Sequence, residues 1–366
     1  MARRIVLFGA SGYTGRLIAE ALVRARARPV LAGRNYQSLA ALGVRLGKGL
    51  DTAVADVTRP DSLLELVQPN DVLITTVGPF ARFGRPVIEA AIYRRATYID
   101  TCGEPPFIRA AYEELAPIAE QANVSLLPGF AFEFIAGNVA AATALENLAE
   151  PATRVDVAYF LVGGIRGNIS LGTRASVGGY LLQPQFAWRD GALQPMTIGD
   201  RVEWFDVDGR QLPALAAAGS EHITIPRIAP SIREVGVYHG GPRRRFTARA
   251  ASRAVGVGAK AKAIHNTFSW FSRLPGRAEG PDQVRRERAT SEVIARVYAQ
   301  DGRILRTVRM RGINPYTFTG EIVAWAALEI ARNGLPRAGA LGPVEAFGLG
   351  PLRDACATAG LPVVEG

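Results

Sequence analysis

Ile5-Val6-Leu7-Phe8-Gly9-Ala10-Ser11-Gly12-Tyr13-Thr14-Gly15 decides how this chain is read. Four apolar residues lead into a glycine-rich turn, and Leu17-Ile18-Ala19-Glu20-Ala21-Leu22 follows it. That order spells a buried parallel strand, a tight loop and a helix. Glycine lets backbone come close to a diphosphate, and the helix N-terminus offers it N–H groups and a positive dipole. Gly9, Ser11, Gly12, Tyr13, Thr14 and Gly15 are therefore the expected phosphate cradle of a dinucleotide. A glycine pattern alone would equally serve a tight strand-to-helix turn, so the next strand carries the argument.

Pro29-Val30-Leu31-Ala32 runs into Gly33-Arg34-Asn35, and no carboxylate stands between Glu20 and Asp51. NAD-type sites place an acid at this point to take the ribose hydroxyls. A guanidinium there can instead hold a 2′-phosphate through two parallel hydrogen bonds. Arg34, with Asn35 beside it, thus predicts NADP(H) rather than NAD(H). A third strand, Thr52-Ala53-Val54-Ala55, ends in Asp56-Val57. Asp56 is placed to accept from the adenine amino group while Val57 covers the ring; the alternative role for Asp56 is a helix cap. A fourth strand, Val72-Leu73-Ile74-Thr75-Thr76-Val77, ends in Gly78-Pro79-Phe80. Val77, Gly78 and Pro79 fall where the nicotinamide ribose should pass, at the strand ends where the order reverses.

The strand and helix alternation continues to about residue 130. A helix is expected over 85–96, a fifth strand at Tyr98-Ile99-Asp100-Thr101-Cys102, a helix over 108–122 interrupted at Pro117, and a sixth strand at Val124-Ser125-Leu126-Leu127. This repetition implies a parallel sheet with helices on both faces. After a helix over 136–148 the pattern changes. Residues 154–162 alternate as an exposed-face strand would, 163–179 read as loop and helix start, and Ile223-Thr224-Ile225 reads as a strand. Strands over 292–298 and 304–310, turning at Asp301-Gly302, read as a hairpin. A long helix covers 318–333. The fold class is α/β: a Rossmann-type doubly wound parallel sheet with an inserted second α+β domain. The expected domains are a nucleotide-binding 1–133, an inserted substrate or dimerisation domain 134–311 with a mixed sheet, and a helix and tail, 312–366, returning to the first domain.

Composition narrows the function. A chain of 366 residues that is 48% hydrophobic suits two domains with full cores. No run of eighteen apolar residues exists and no signal peptide is visible, so a cytoplasmic protein without a membrane span is expected. Cys102 and Cys356 suit a reducing compartment better than a disulfide framework. The formal charge of +10 comes almost wholly from arginine, since lysine stands only at 48, 260 and 262. No motif supports nucleic-acid binding, and the basic field would favour acidic ligands. No tyrosine is followed by a lysine four residues later, which excludes the proton-transfer pair of short-chain dehydrogenases. His222, His239 and His265 lack zinc-ligand spacing, and no Gly-x-Ser-x-Gly anchors a hydrolytic triad. Residues 260–273 combine Lys260, Lys262 and Arg273 with Phe268, Trp270 and Phe271. A helix packed on the middle sheet is preferred there over contact with a membrane surface.

Together these residues resemble the saccharopine dehydrogenase-like family of NADP-dependent oxidoreductases, including its trans-acting enoyl reductase branch. The resemblance rests on Gly9 to Gly15, Ala32-Gly33-Arg34-Asn35, Val77-Gly78-Pro79-Phe80 with Gly84 and Pro86, and Tyr98-Ile99-Asp100-Thr101-Cys102-Gly103-Glu104. It continues in Leu274-Pro275-Gly276, Gly280-Pro281, 320–331 and 341–348. It implies the inserted-domain layout and places Thr101 and Cys102 near the nicotinamide and substrate. The chain departs from the family over 129–134, where Ala131 stands in place of an aspartate and Glu133 is the lone acid. That points away from an amino-acid substrate and toward a less polar one. A hydride from the cofactor requires a proton from the protein. Candidates are Tyr98, Asp100, Cys102, Glu104 and Glu133, with Tyr316 reaching in from the other domain; Asp100, Cys102 and Tyr316 lead. The expected activity is NADPH-dependent reduction of a C=C (enoyl) or C=N bond in a small or carrier-bound substrate, by a homodimer with no metal. The alternative is a non-catalytic NADP(H)-binding scaffold or redox sensor.

Overall fold

The computed structural model describes residues 3–47, 49–162, 184–240 and 280–364. The readings made for 163–179, 260–273 and 274–276 lie outside them. The chain forms two units: Met1–Phe132 with Pro315–Phe347, and Glu133–Asn314 with Gly348–Gly366.

The first unit is built on β1 (Ile5–Phe8), β2 (Val30–Gly33), β3 (Thr52–Val54), β4 (Val72–Thr75), β5 (Thr97–Asp100) and β6 (Ser125–Leu127). With the short strand Gly339–Ala340 they make a seven-stranded sheet in the order Gly339–Ala340, β6, β5, β4, β1, β2, β3. Every pairing is parallel. All four residues of β1, β2 and β4 are buried, as expected when helices cover both faces of a parallel sheet. β1 pairs with β2 on one side and β4 on the other, so the strand order reverses beside β1. The loops after β1, β2, β4 and β5 therefore meet at one edge. The helices are α1 (Tyr13–Arg24), α2 (Tyr36–Leu46), α3 (Pro60–Leu66), α4 (Phe80–Arg94), α5 (Pro105–Ala110) and α6 (Ala116–Gln121), with one π-turn at Ala111–Leu115 before α6. The interruption or restart expected at Pro117 falls just after it, since Pro117 stands in the first turn of α6. The long helix Pro315–Asn333 belongs to this unit. It crosses α1 closely, since a Cβ on Gly320 would sit 3.0 Å from that of Leu17.

One helix start departs from expectation. α4 begins at Phe80, five residues before the expected 85. The buried Glu104 carboxylate accepts from Phe80 N (2.8 Å) and Ala81 N (2.9 Å). A cap supplied from 24 residues away is invisible to local periodicity. The Gly78-Pro79 peptide that precedes it is cis.

The second unit holds α7 (Phe132–Leu145, entered from the first unit), β7 (Arg154–Val162), β8 (Gln185–Arg189), β9 (Ala192–Met196), β10 (Val202–Val207), β11 (Arg210–Ala216), α8 (Glu221–Ile228), β12 (Glu234–Gly240), β13 (Thr290–Tyr298) and β14 (Ile304–Ile313). Its mixed sheet runs β10, β11, β12, β7, β13, β14, Val363–Val364, with β8 on β12 and β9 on β8. Only the β12–β7 pair is parallel among those described. Phe160, Phe205, Tyr238 and Ile294 pack in one buried cluster on it. The hairpin β13–β14 forms as the Asp301-Gly302 turn implied.

Three expectations are corrected here. β7 is central, between β12 and β13, and Val155 to Phe160 are all buried rather than alternating. Ile223-Thr224-Ile225 lies in α8, not in a strand. The Thr224 hydroxyl lies 3.0 Å from Ser220 O, one helical turn back, and 2.7 Å from Asn138 Oδ1. Packing of buried Thr224 and Ile225 overrides their β preference. The tail was expected to return whole to the nucleotide domain, yet Gly348–Gly366 groups with the second unit. Val363 and Val364 pair with Met310 and Arg309 of β14, and Gly360 O accepts from Ile313 N.

Candidate nucleotide-binding site

The loop after β1 is shaped by close contact. Gly9 has φ +89°, and a Cβ there would lie 2.5 Å from Thr76 Oγ1. A Cβ on Gly15 would lie 2.2 Å from Gly9 O, so only glycine fits at either position. Thr76 Oγ1 donates to Gly9 O (3.1 Å), and Gly9 N and Ala10 N donate to Ala32 O (2.9 and 3.1 Å). The loop is thus tied to the ends of β4 and β2. Gly12 is the exposed N-cap of α1; no side chain caps the helix and no acid stands in its first turn. The positive end of α1 is left for an anion. Ser11, Tyr13 and Thr14 are half-buried around it.

Gly33 ends β2 with ordinary backbone. A Cβ there would meet Leu39 Cδ2 at 3.6 Å and Ser11 Oγ at 3.9 Å, ordinary contacts. The protein's own packing therefore does not require glycine at this position. Arg34 and Asn35 are exposed. Asn35 Oδ1 accepts from Ser38 N at 2.9 Å, so this side chain caps α2.

Ala55 N donates to Gly33 O (3.0 Å), which joins the loop after β3 to that after β2. Asp56 Oδ1 accepts from Thr58 N (2.9 Å) and Thr58 Oγ1 (2.8 Å). Those bonds, with weaker help from Arg34 and Arg59, hold its carboxyl below the usual range. The cap position of α3 is Arg59, not Asp56. Val57, Val77, Gly78, Pro79 and Thr101 are half-buried along the strand ends.

The acids after β5 look inward. Asp100 is fully buried, and its Oδ1 accepts from Cys102 N (2.7 Å) and Gly129 N (2.8 Å). Burial pushes its pKa up to about 6, against the lowering effect of those two N–H groups. Its Oδ2 and the Tyr98 hydroxyl are buried as well, and the tyrosine also acts to lower the Asp100 carboxyl. Cys102 is also fully buried; desolvation, then Asp100 and Glu104, push its thiol well up, so it stays protonated. Tyr316, half-buried at the start of Pro315–Asn333, sits edge-on to Tyr13 with ring centroids 5.0 Å apart. It belongs to the nucleotide unit, not to the other one.

In the second unit, a buried pair escaped sequence reasoning. The Tyr159 hydroxyl accepts from Phe134 N (2.9 Å) and Gly137 N (3.1 Å) and donates to Glu221 Oε1. Phe134 has φ +83°, a strained conformation for an aromatic residue. Burial raises the Glu221 carboxyl to about 7, and its Oε2 has no hydrogen-bond partner. Glu133 is exposed. Tyr159 and Glu221 are 62 residues apart, and no local pattern links them. Burial pushes His222 down to about 4, and its Nδ1 accepts from Trp188 N. No group of three metal-ligating side chains occurs among the described residues, and no helix there is long and apolar enough to cross a membrane.

Residues 5–127 match the model of the saccharopine dehydrogenase NADP binding domain. A Mycobacterium tuberculosis protein that carries the provisional name trans-acting enoyl reductase is 31% identical over 179 residues, 47% of this chain and 43% of that protein. A Bos taurus saccharopine dehydrogenase-like oxidoreductase is 30% identical over 148 residues, 36% of this chain and 34% of its own. A trans-acting enoyl reductase of Mycobacterium ulcerans is 38% identical over 110 residues, 29% and 26% of the two chains. The matches thus span less than half the length of these relatives. Among solved structures, apo saccharopine dehydrogenase (L-Glu forming) from Saccharomyces cerevisiae aligns over 99% of this chain and 100% of its own, at 14% identity and TM-score 0.62. That likeness concerns the fold. The glycine loop, the open end of α1 and the exposed Arg34 at the end of β2 all fall within residues 5–127, the stretch that matches the saccharopine dehydrogenase NADP binding domain.

Proposed function

We propose that this chain is an NADP(H)-dependent oxidoreductase that reduces a C=C (enoyl) or C=N bond of a small or carrier-bound substrate. The observation that carries this reading is the pairing of an uncapped α1 N-terminus with an exposed arginine at the end of the next strand. In it, Gly9, Ser11, Gly12, Tyr13, Thr14 and Gly15 cradle the diphosphate. Arg34 takes the 2′-phosphate, with Asn35 fixing the start of α2 beneath it. Asp56 and Val57 serve the adenine, and Val77, Gly78, Pro79 and Thr101 line the path to the nicotinamide.

The cofactor supplies the hydride; the protein must orient the substrate and deliver a proton. Tyr316 is our choice of donor, because it keeps partial exposure beside Tyr13, the first residue of α1. Asp100 and Cys102, fully buried, act by ordering the chain after β5 and β6. The names of the relatives favour the enoyl or imine class. Ala131, the position at which the resemblance implies an aspartate, favours the less polar substrate.

Titration calorimetry with NADPH and NADH, then NADPH oxidation against enoyl thioesters and cyclic imines, tests this. NADPH is expected to bind more tightly, and one substrate class to be turned over. Absence of binding by either nucleotide would end the reading. Tight NADPH binding with no turnover across both panels would favour a scaffold or redox sensor.

A further inference from the structure

We propose that Arg59 is a second guanidinium for the cofactor's 2′-phosphate and sets the choice between NADPH and NADH together with Arg34; this rests on the NADP(H) reading above. The argument begins with position. β2 and β3 are parallel neighbours, with Gly33 opposite Val54, and Ala55 N donates to Gly33 O at 3.0 Å. Their two exit turns are thereby adjacent, one carrying Arg34 and the other Asp56 to Arg59. The second turn is rigid. Arg59 N donates to Asp56 O (2.9 Å), and the Ser62 hydroxyl bonds both Arg59 O (2.7 Å) and the Asp56 backbone. Both arginines are exposed, and neither forms an ion pair among the described residues.

Charge then decides. Asp56 is fixed by Thr58 and stands between the fields of Arg34 and Arg59. Arg34 and Asp56 alone cancel. A ligand phosphate approaching that pair would gain one guanidinium and meet one carboxylate. Arg59 turns the local sum from zero to +1, so the turn attracts a phosphate instead of ignoring it. In NADH the same place would hold a neutral ribose hydroxyl, to which Arg59 offers little.

The probes are 2′,5′-ADP and ADP, titrated by calorimetry at low and high salt into the wild type, Arg34→Ala, Arg59→Ala and Arg59→Lys. Arg59→Ala is expected to weaken 2′,5′-ADP about tenfold and ADP less than about twofold, with the difference shrinking at high salt. Arg59→Lys should keep most of the discrimination, because a point charge suffices where bidentate geometry is already supplied by Arg34. If Arg34→Ala loses 2′,5′-ADP affinity and Arg59→Ala does not, or if Arg59→Ala weakens both probes equally, the assignment of Arg59 is overturned while the NADP(H) reading stands. If the wild type binds 2′,5′-ADP no better than ADP, that reading fails and takes this proposal with it.

Discussion

The strand ends of the nucleotide unit and the Tyr159–Glu221 centre of the second unit both gather polar groups around glycines, yet they use them in opposite ways. At the strand ends the helix start is uncapped, Arg34 is exposed, and a Cβ on Gly33 would meet Leu39 and Ser11 only at ordinary contact distance. Around Tyr159 both glycines are filled by neighbours: a Cβ on Gly137 would lie 2.1 Å from the Tyr159 hydroxyl oxygen, and one on Gly219 would lie 2.5 Å from Glu221 Oε2. The first arrangement has hydrogen-bonding capacity left over for a ligand. The second spends nearly all of it on its own backbone. Polar residues mark a ligand site when they are unspent, and architecture when they are consumed.

The largest expected effect strikes the consumed centre. Gly137→Ala forces a methyl group into the Tyr159 and Glu221 oxygens. Overpacking plus a broken buried hydrogen bond should cost about 3 kcal/mol or more. Chemical denaturation of the second unit would register it. Unchanged stability would mean that the centre is loose, and the contrast with the strand ends would collapse.

Next in size is a pH effect. Folding raises the Glu221 carboxyl from its ordinary 4.5 to about 7. The folded state therefore holds the proton more tightly, so this group stabilises below pH 4.5 and its contribution is lost as pH rises to about 7. A shift of that size corresponds to roughly 3 kcal/mol across the window. Asp100, raised from 3.8 to about 6, acts with the same sign over a lower window. Glu221→Gln should flatten the fall in unfolding free energy between pH 4.5 and 7 and leave the Asp100 part. An unaltered slope would show that Glu221 is solvated.

Arg34→Ala sharpens the other side. Loss of a charge-assisted contact should weaken NADPH by about 1.5–3 kcal/mol, with NADH barely changed and the unfolding free energy within about 0.5 kcal/mol of wild type. Equal losses for both nucleotides would remove Arg34 from the phosphate.

The contrast also explains what could be read from residue order. β1 to β6 were legible because each is a short apolar run bounded by turn residues, and the glycine loop because its signal is contiguous. The position of Arg34 just past β2 was legible because the fingerprint fixes where the second strand must end. The capping of α4 by Glu104 and the Tyr159–Glu221 bond were not, since each joins residues far apart in the chain. β8 to β11 went unread because their exposed faces and Pro195 and Pro213 blur the alternation. Ile223-Thr224-Ile225 misled because three β-branched residues favour a strand until burial against Asn138 selects a helix. Asp100 was identified as an acid at a strand end, but its inward turn toward Gly129 N depends on a loop 29 residues away.

The smallest effect is the most selective. Gly33→Ala adds a methyl group with 3.6 Å to Leu39 and 3.9 Å to Ser11, so the protein can accept it. Its φ lies outside the left-handed region, and the substitution lowers the entropy of the unfolded chain. Stability should be unchanged or higher by up to about 1 kcal/mol. In the proposed site the adenosine ribose lies against Gly33, so on that proposal NADPH and NADH should both weaken, by roughly 1 kcal/mol. This pattern differs from that of Arg34→Ala, in which only the phosphorylated cofactor suffers. Thermal unfolding and nucleotide titration on one sample separate the two. A Gly33→Ala protein that binds both cofactors like the wild type would mean that the adenosine ribose does not lie against Gly33.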